Sequence, residues 1–272
     1  MTIQGGENSQ TETTHYLSKG KKDKGDLRAC REVDKSTFGN SLITVITVVF
    51  NGNESLEETM QSVISQTYDN VEYIVIDGGS TDGTLDVIKQ HEGKIDHWVS
   101  EEDRGIYDAM NKGVNLANGE WINFMNSGDV FHDNDVLLNF YKESEKSQNI
   151  DFFYSDSIVK EGKKYICNKE KRILIHQAII YRIAMHEKIG RYVVVKNLTT
   201  ADYLFFMLSY NYNWQKLNFP ISIHDAHGVS SGLHTFLQKN AIDLLFGFNG
   251  RIKTILFLSI HPLYNKIKRL FK

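Results

Sequence analysis

Two largely β-branched runs, Ile43 to Phe50 and Val71 to Ile76, flank one amphipathic helical pattern. Both are apolar along most of their length rather than alternating, so each reads as a strand buried on both faces. Asn51-Gly52-Asn53 marks a turn after the first run. Ser55 is placed to cap a helix whose inner face is Leu56, Met60, Val63 and Ile64, with Glu57 and Glu58 in its first turn. The second run ends at Asp77-Gly78-Gly79-Ser80-Thr81-Asp82-Gly83-Thr84, and a short helix from Leu85 to His91 follows. Strand, helix, strand, helix at this spacing makes parallel βαβ units with right-handed crossovers, so the fold class is α/β.

The alternation then continues and loosens. The spacing predicts a helix from Ile106 to Leu116, a strand from Trp121 to Met125 and a helix from Val136 to Lys146. Strands are expected at Phe152 to Tyr154, Ser157 to Val159 and Ile221 to His224, a turn at Glu161-Gly162-Lys163, and a helix from Asp202 to Ser209. Residues 1–40 stand apart, with nine apolar residues among interleaved charges, and read as a mobile extension or loosely docked arm. Residues 41–232 hold the main domain. Residues 233–272 form a C-terminal amphipathic helical segment, with Phe236, Leu237, Ala241, Leu244, Leu245 and Phe248 on one face. Within it, Arg251 to Lys272 carry six basic residues and no acidic one. That pattern suits an anionic membrane surface, and equally a helix docked on its own domain.

A net charge of −3 over 272 residues excludes wholesale nucleic-acid binding. Two cysteines, Cys30 and Cys167, exclude a disulfide framework and fit a reducing compartment. No apolar run is long enough to span a bilayer, and residues 1–20 hold no secretory h-region, so an intracellular protein is expected.

Carboxylates collect at the predicted strand ends, Asp77 after the second strand and Asp129 after Trp121 to Met125. Open α/β sheets bind ligands beyond the carboxyl ends of their strands. Two carboxylates converging there repel unless something compensates, and a divalent cation bridging to a diphosphate does so. Asp82 reads as a turn residue. Gly78-Gly79 either lets the backbone approach a nucleotide or is only a flexible turn. Neither Gly-x-Gly-x-x-Gly nor a Walker loop is present, which leaves phosphate binding to metal and side chains. Tyr181, Tyr203, Phe205, Phe206, Tyr210, Tyr212 and Trp214 fit either stacking on a sugar or core packing.

From Ser41 to about Asp129 the chain resembles the inverting family 2 glycosyltransferases of the GT-A fold. The resemblance rests on Val45-Ile46-Thr47-Val48-Val49-Phe50-Asn51, Gln66-Thr67-Tyr68 and Glu72-Tyr73-Ile74-Val75-Ile76-Asp77-Gly78-Gly79-Ser80-Thr81-Asp82-Gly83-Thr84. It continues through Ser100-Glu101-Glu102-Asp103-Arg104-Gly105-Ile106-Tyr107-Asp108-Ala109-Met110-Asn111-Lys112-Gly113 and Asn118-Gly119-Glu120-Trp121-Ile122-Asn123-Phe124-Met125-Asn126-Ser127-Gly128-Asp129. Looser matches follow at His176-Gln177-Ala178, Ala201-Asp202-Tyr203 and Gly228-Val229-Ser230-Ser231.

The resemblance implies a mixed, mostly parallel sheet flanked by helices. It implies Asn51 and Asp77 against the uridine of a UDP-sugar, Asp103 and Arg104 along the diphosphate and sugar, and Gly105 to Lys112 along the border of the donor pocket. Asp129 would be the metal-binding end of an Asp-x-Asp motif whose first position is Ser127 here, so one carboxylate would hold Mn²⁺ or Mg²⁺ with the diphosphate and water. Asp202 would be the base for the acceptor hydroxyl, its pKa modestly raised in a partly dry site; a helix-start carboxylate satisfying backbone N–H groups is the alternative. His227 stands where relatives tend to have Gly, so His224, Asp225 and His227 offer either a further metal or phosphate contact or ordinary core and solvated histidines.

The implied activity is metal-dependent transfer of a hexose, glucose or galactose favoured, from a UDP-sugar to a sugar hydroxyl with inversion to a β-glycoside. The implied acceptor is undecaprenyl-diphosphate-linked, as in O-antigen, capsule or exopolysaccharide synthesis, with the enzyme peripheral at the inner face of the cell membrane. The alternative function is a non-catalytic nucleotide-sugar-binding relative, suggested by Ser127.

Overall fold

The computed structural model describes residues 23–26, 40–225 and 232–248. The first described element, β1 (Asp23–Asp26), is a strand within the polar N-terminal region. Then come β2 (Ile43–Val49), α1 (Asn53–Ile64), β3 (Val71–Asp77), α2 (Thr84–Gln90), β4 (His97–Ser100), α3 (Ile106–Leu116) and β5 (Trp121–Phe124). β6 (Val130–Phe131), α4 (Val136–Lys146), β7 (Phe152–Tyr154), β8 (Ser157–Val159) and β9 (Lys164–Tyr165) follow. A 3₁₀ turn (His176–Ala178) leads into β10 (Ile179–Arg182), and α5 (Met185–Lys188), α6 (Ala201–Leu208), β11 (Trp214–Lys216), β12 (Ser222–His224) and α7 (Leu233–Leu245) complete the described chain.

The main sheet has eight strands in the order β1-β4-β3-β2-β5-β10-β7-β11. β4, β3, β2 and β5 run parallel, β1 closes the β4 edge antiparallel, and β10 lies antiparallel between β5 and β7. A second sheet, β6-β12-β8-β9, stands beside it. The apolar β2 run has its physical reason in two cores. Ile43, Val45 and Val49 pack on one face with Leu56 and Met60 of α1, Ile88 of α2 and Phe140 of α4. Ile46 and Val48 pack on the other with Met110 of α3 and Phe205 of α6. Side chains alternate across a strand, so burial on both faces requires apolar residues at odd and even positions alike, and the buried Thr44 and Thr47 hydroxyls bond to Glu72 and the Met125 carbonyl.

Ser55 does not cap α1, which begins two residues earlier after Gly52. Asp82 explains the shift: its Oδ2 accepts the Asn53 N–H at 3.1 Å, supplying from a neighbouring loop the acceptor a cap would give. The same carboxyl accepts the Thr84 hydroxyl at 2.5 Å and the Thr84 N–H at 3.1 Å, and these bonds, the hydroxyl first, hold its pKa below the usual carboxylate range, so Asp82 is the turn residue expected. α7 also differs from its sequence pattern. It buries Thr235, Ile242 and Asp243, while Phe236, Leu237, Leu244 and Leu245 stay exposed. Asp243 turns inward because Arg172 Nε (3.1 Å) and the Tyr203 hydroxyl (2.5 Å) donate to it. The basic stretch from Arg251 to Lys272 lies outside the described residues.

His186 on α5 is buried, donating through Nδ1 to the Gly190 carbonyl (3.1 Å) and accepting the Tyr181 hydroxyl at Nε2 (2.8 Å). Burial pushes its pKa down to about 4. The folded state therefore holds a neutral imidazole that the unfolded chain protonates below about pH 6.5. Its contribution is complete above pH 6.5 and is lost as pH falls towards 4, on the order of 3 kcal/mol. Urea unfolding across that range should show this loss in the wild type and a smaller one in His186→Gln.

Candidate functional site

The parallel order β4-β3-β2-β5 sets the carboxyl ends of neighbouring strands along one crevice, with β3 and β5 two strand spacings, ~10 Å, apart. β2 ends at Val49, in register with Asp77 of β3. Beyond it Phe50 turns outward, 64% exposed, and Asn51 takes a left-handed φ of 49° that asparagine tolerates. The Asn51 N–H donates to Ser80 Oγ at 2.7 Å, and its Oδ1 accepts the Thr81 N–H at 3.0 Å. Asp77 is fully buried and accepts from the Ser80 N–H (3.1 Å), the Ser80 hydroxyl and the Ser100 hydroxyl (2.6 Å). Ser80 thus ties Asn51 and Asp77 into one loop.

Asp103 lies over the backbone that follows Asp77. A Cβ on Gly78 would collide with Asp103 Oδ2 and come within 3.3 Å of Phe50 Cδ2. Glycine at 78 is therefore a matter of close approach. Asp103 Oδ1 accepts the Gly105 N–H at 2.8 Å, and burial, opposed by that bond and by Lys112, leaves its pKa raised. On the donor-lining role that the resemblance implies for Asp103, Gly78→Ala should displace its carboxylate and raise the KM for donor about tenfold, roughly 1.4 kcal/mol. Stability should barely change, because only a side-chain end must move. Steady-state kinetics beside a thermal melt reads both. Arg104 is the outlier, 74% exposed at its side chain and paired with Asp108 at 2.7 Å. Lys112 Nζ sits 3.2 Å from Glu101 Oε1 and donates to the Glu102 carbonyl at 3.1 Å.

On the β5 side, the Ser127 N–H donates to the Val48 carbonyl at 3.2 Å, and its hydroxyl shares a 2.9 Å hydrogen bond with Ser55. Asp129 is buried, and its Oδ2 accepts Gln177 Nε2 at 2.5 Å. Burial raises its pKa against that bond and the nearby His176. Among the described residues no lysine or arginine pairs with Asp129, and no three His, Cys, Asp or Glu side chains gather as a metal cage. A buried carboxylate with no lysine or arginine pairing to it among the described residues fits a divalent ion whose remaining ligands are diphosphate and water.

Asp202 sits in the first turn of α6. Its Oδ1 accepts the Tyr107 hydroxyl at 2.7 Å, and its Oδ2 lies 3.1 Å from His176 Nδ1. The pKa differs from the modest rise expected. Burial pushes it up, but the His176 hydrogen bond and charge, with Tyr107 and Lys239, outweigh burial and leave it lowered. Side-chain donors on both oxygens hold the carboxylate ionised in a buried place.

His224 binds Ser157 Oγ through Nδ1 at 2.7 Å, and burial lowers its pKa against the nearby Asp129 charge. His227 and residues 228–231 lie outside the described residues. Tyr181, Tyr203, Phe205 and Phe206 are buried and pack the core; Trp214 is stacked on Phe152 at 4.4 Å. Sequence reasoning gave no role to Phe50, His176 or Gln177, and placed Tyr107 only along the border of the donor pocket. The signals present were an aromatic at a turn beside Asn51 and a His-Gln pair ahead of a short apolar stretch.

The family model for glycosyl transferase family 2 matches residues 44–207, a span that includes every candidate site residue from Asn51 to Asp202. The chain is 32% identical over 164 residues to a "PGL/p-HBAD biosynthesis glycosyltransferase" of Mycobacterium bovis, covering 56% of this chain and 63% of that relative. It is 34% identical over 104 residues to "Glycosyltransferase GlyA" of Streptococcus pneumoniae, covering 37% of this chain and 15% of that one. The chain thus spans less than two thirds of the length of these relatives. In fold it resembles S. aureus TarS 1-349 in complex with UDP, with TM-score 0.62 at 18% identity over 81% of this chain and 71% of that one. It also resembles the mannosyltransferase PcManGT of Pyrobaculum calidifontis in complex with GDP-Man and Mn²⁺, with TM-score 0.61 at 17% identity over 78% and 66%.

Proposed function

Because the chain belongs to glycosyl transferase family 2, we propose that its crevice transfers a hexose from a UDP-sugar to a sugar hydroxyl with inversion. Glucose or galactose is the favoured sugar. The observation that carries the reading is the crevice's arrangement. Buried Asp77 and the Asn51 loop stand at the β2 and β3 ends, buried Asp129 stands beyond β5, and the His176–Gln177 turn touches both Asp129 and Asp202 of α6. A uridine donor is supported by the TarS structure with UDP, and a metal by the PcManGT structure with Mn²⁺.

Asn51 and Asp77 bind the uridine, and exposed Phe50 offers the base an apolar surface beside them. Asp103 suits the sugar hydroxyls, since a carboxylate repels a diphosphate. Arg104 and Lys112, each already beside an acidic partner, swing towards the diphosphate when it competes for them. Ser127, replacing a second carboxylate, offers a hydroxyl. Asp129 holds Mn²⁺ or Mg²⁺, which when bound neutralises charge developing on the departing diphosphate. Asp202 accepts the proton of the acceptor hydroxyl as that oxygen attacks the anomeric carbon and the bond to UDP breaks. One in-line displacement turns an α-linked donor into a β-glycoside.

The acceptor we favour is a saccharide on undecaprenyl diphosphate, with the enzyme peripheral at the inner face of the membrane. The six cations and absent anions from Arg251 to Lys272, with the exposed Phe236, Leu237, Leu244 and Leu245 of α7, support it. No helix among the described residues is long and apolar enough to cross a membrane. Deleting residues 251–272 should cut pelleting with anionic vesicles several-fold and leave UDP affinity unchanged; unchanged pelleting contradicts the membrane role.

The test of the reaction is transfer from UDP-glucose and UDP-galactose to a lipid-diphosphate-linked monosaccharide, with UDP release and the product's anomeric proton coupling as readouts. A β product with UDP release is expected. An α product, or turnover confined to GDP-mannose, overturns the proposal.

A further inference from the structure

His176 and Gln177 are neighbours on one 3₁₀ turn, yet they reach different carboxylates. His176 Nδ1 lies 3.1 Å from Asp202 Oδ2, and Gln177 Nε2 lies 2.5 Å from Asp129 Oδ2. The turn is fixed from below. β10 pairs antiparallel with β5, setting Ile180 opposite Asn123, and Asn123 Nδ2 donates to the Ile179 carbonyl at 3.0 Å and the Gln177 carbonyl at 3.3 Å. The imidazole is oriented from its far side by Asn126 Nδ2, 2.8 Å from Nε2. An ionised carboxylate can only accept, so a ring proton sits on Nδ1, aimed at Asp202, while the Asn126 amide holds the far nitrogen. Among the described residues Asn126 Oδ1 is buried with no hydrogen-bond partner.

We propose that this turn is a two-armed brace, with His176 positioning Asp202, Gln177 positioning Asp129, and Asn126 holding the His176 ring in place. The inference rests on the roles given above to Asp202 and Asp129. It goes beyond them by assigning what fixes the separation of the acceptor-activating and diphosphate-holding carboxylates. Tyr107 completes the grip on Asp202 from α3, and the Lys239 charge faces it from α7.

The arms give different signatures. With UDP-glucose or UDP-galactose and the lipid-linked acceptor, His176→Ala should lower kcat about 10- to 100-fold at unchanged donor KM. The acid limb of its kcat/KM profile should move to higher pH, because burial then dominates at Asp202. His176→Asn keeps an N–H near the Nδ1 position and should recover most of kcat and the original limb. Gln177→Ala should leave the limb in place and raise about 10- to 100-fold the Mn²⁺ concentration needed for UDP to stabilise the fold, read by thermal shift. A fourth reading needs no substrate: long-range ¹⁵N imidazole spectra at neutral pH should show His176 protonated on Nδ1. A ring with no proton on Nδ1, an acid limb that His176→Ala leaves unmoved, or an unchanged Mn²⁺ requirement in Gln177→Ala overturns the brace. Near wild-type turnover by Asp202→Asn overturns the role of Asp202 itself. Loss of turnover in Asp202→Asn with His176→Ala at wild-type rate and profile overturns the brace alone.

Discussion

Asp202→Asn is expected to reduce kcat by about 10²- to 10⁴-fold, the range a positioned general base contributes. The substitution keeps the shape of a side chain gripped by Tyr107 and His176 but removes the negative charge that receives the acceptor's proton. The donor site is built on other elements, so donor KM should stay within a factor of about two, and kcat and kcat/KM should fall together. The wild-type profile also follows from the geometry. The Asp202 pKa is lowered in the folded protein, so the base is ionised at neutral pH and activity falls only as the medium becomes acidic enough to protonate it. Initial rates across pH in both proteins check the size of the loss and the side on which the limb lies.

Asp129→Asn should be nearly as damaging, lowering kcat/KM about 10²- to 10³-fold. Its signature differs. The amide would keep a hydrogen-bonding partner for Gln177 but lose the buried charge that attracts a cation. Donor affinity in the presence of Mn²⁺ should therefore fall towards its metal-free value, whereas Asp202→Asn leaves the metal dependence intact. Removal of metal from the wild type by a chelator should reproduce the Asp129→Asn rate. Burial raises the Asp129 pKa, so metal-supported UDP binding should also weaken with acidification, protons competing with the cation for one carboxylate.

The parts of the fold that were legible are those with strong periodicity. α3 and α4 fall where their apolar spacing places them, Ile106–Leu116 and Val136–Lys146, and β2 and β3 are each within a residue of their apolar runs. β4, β6, β9, β10 and β11 have two to four residues each, too few to show a period, and their pairing is set by partners distant in sequence. The start of α1 was misread for a related reason. Ser55 is a good local cap, but Asp82, some thirty residues away, supplies the acceptor. α7 was misread because amphipathic spacing reveals a face without saying whether it is covered; Arg172 and Tyr203 draw the opposite side inward through Asp243.

The candidate site divides in the same way. Asp77 and Asp129 could be singled out because a carboxylate at a strand end is unusual enough to be visible in one dimension. Asp202 could not: on residue type alone it reads as a helix-start carboxylate, and only the family resemblance gave it a role. Tyr107 and His176, which set its ionisation, lie 95 and 26 residues from it in sequence. Arg104 shows the reverse. Its motif suggested the diphosphate, and the fold leaves it exposed on Asp108.

The central claim is that the crevice between the β3 and β5 ends is a metal-assisted uridine diphosphate site. Titration of the wild-type protein with UDP and with GDP, each with and without Mn²⁺, tests it most directly by calorimetry or thermal shift. Stabilisation by UDP that Mn²⁺ enhances, reaching about 2.7 kcal/mol at a hundredfold excess over Kd, with little response to GDP, is the predicted result. A response to GDP in place of UDP, or none to either with Mn²⁺ present, would contradict the assignment of Asp77 and Asp129.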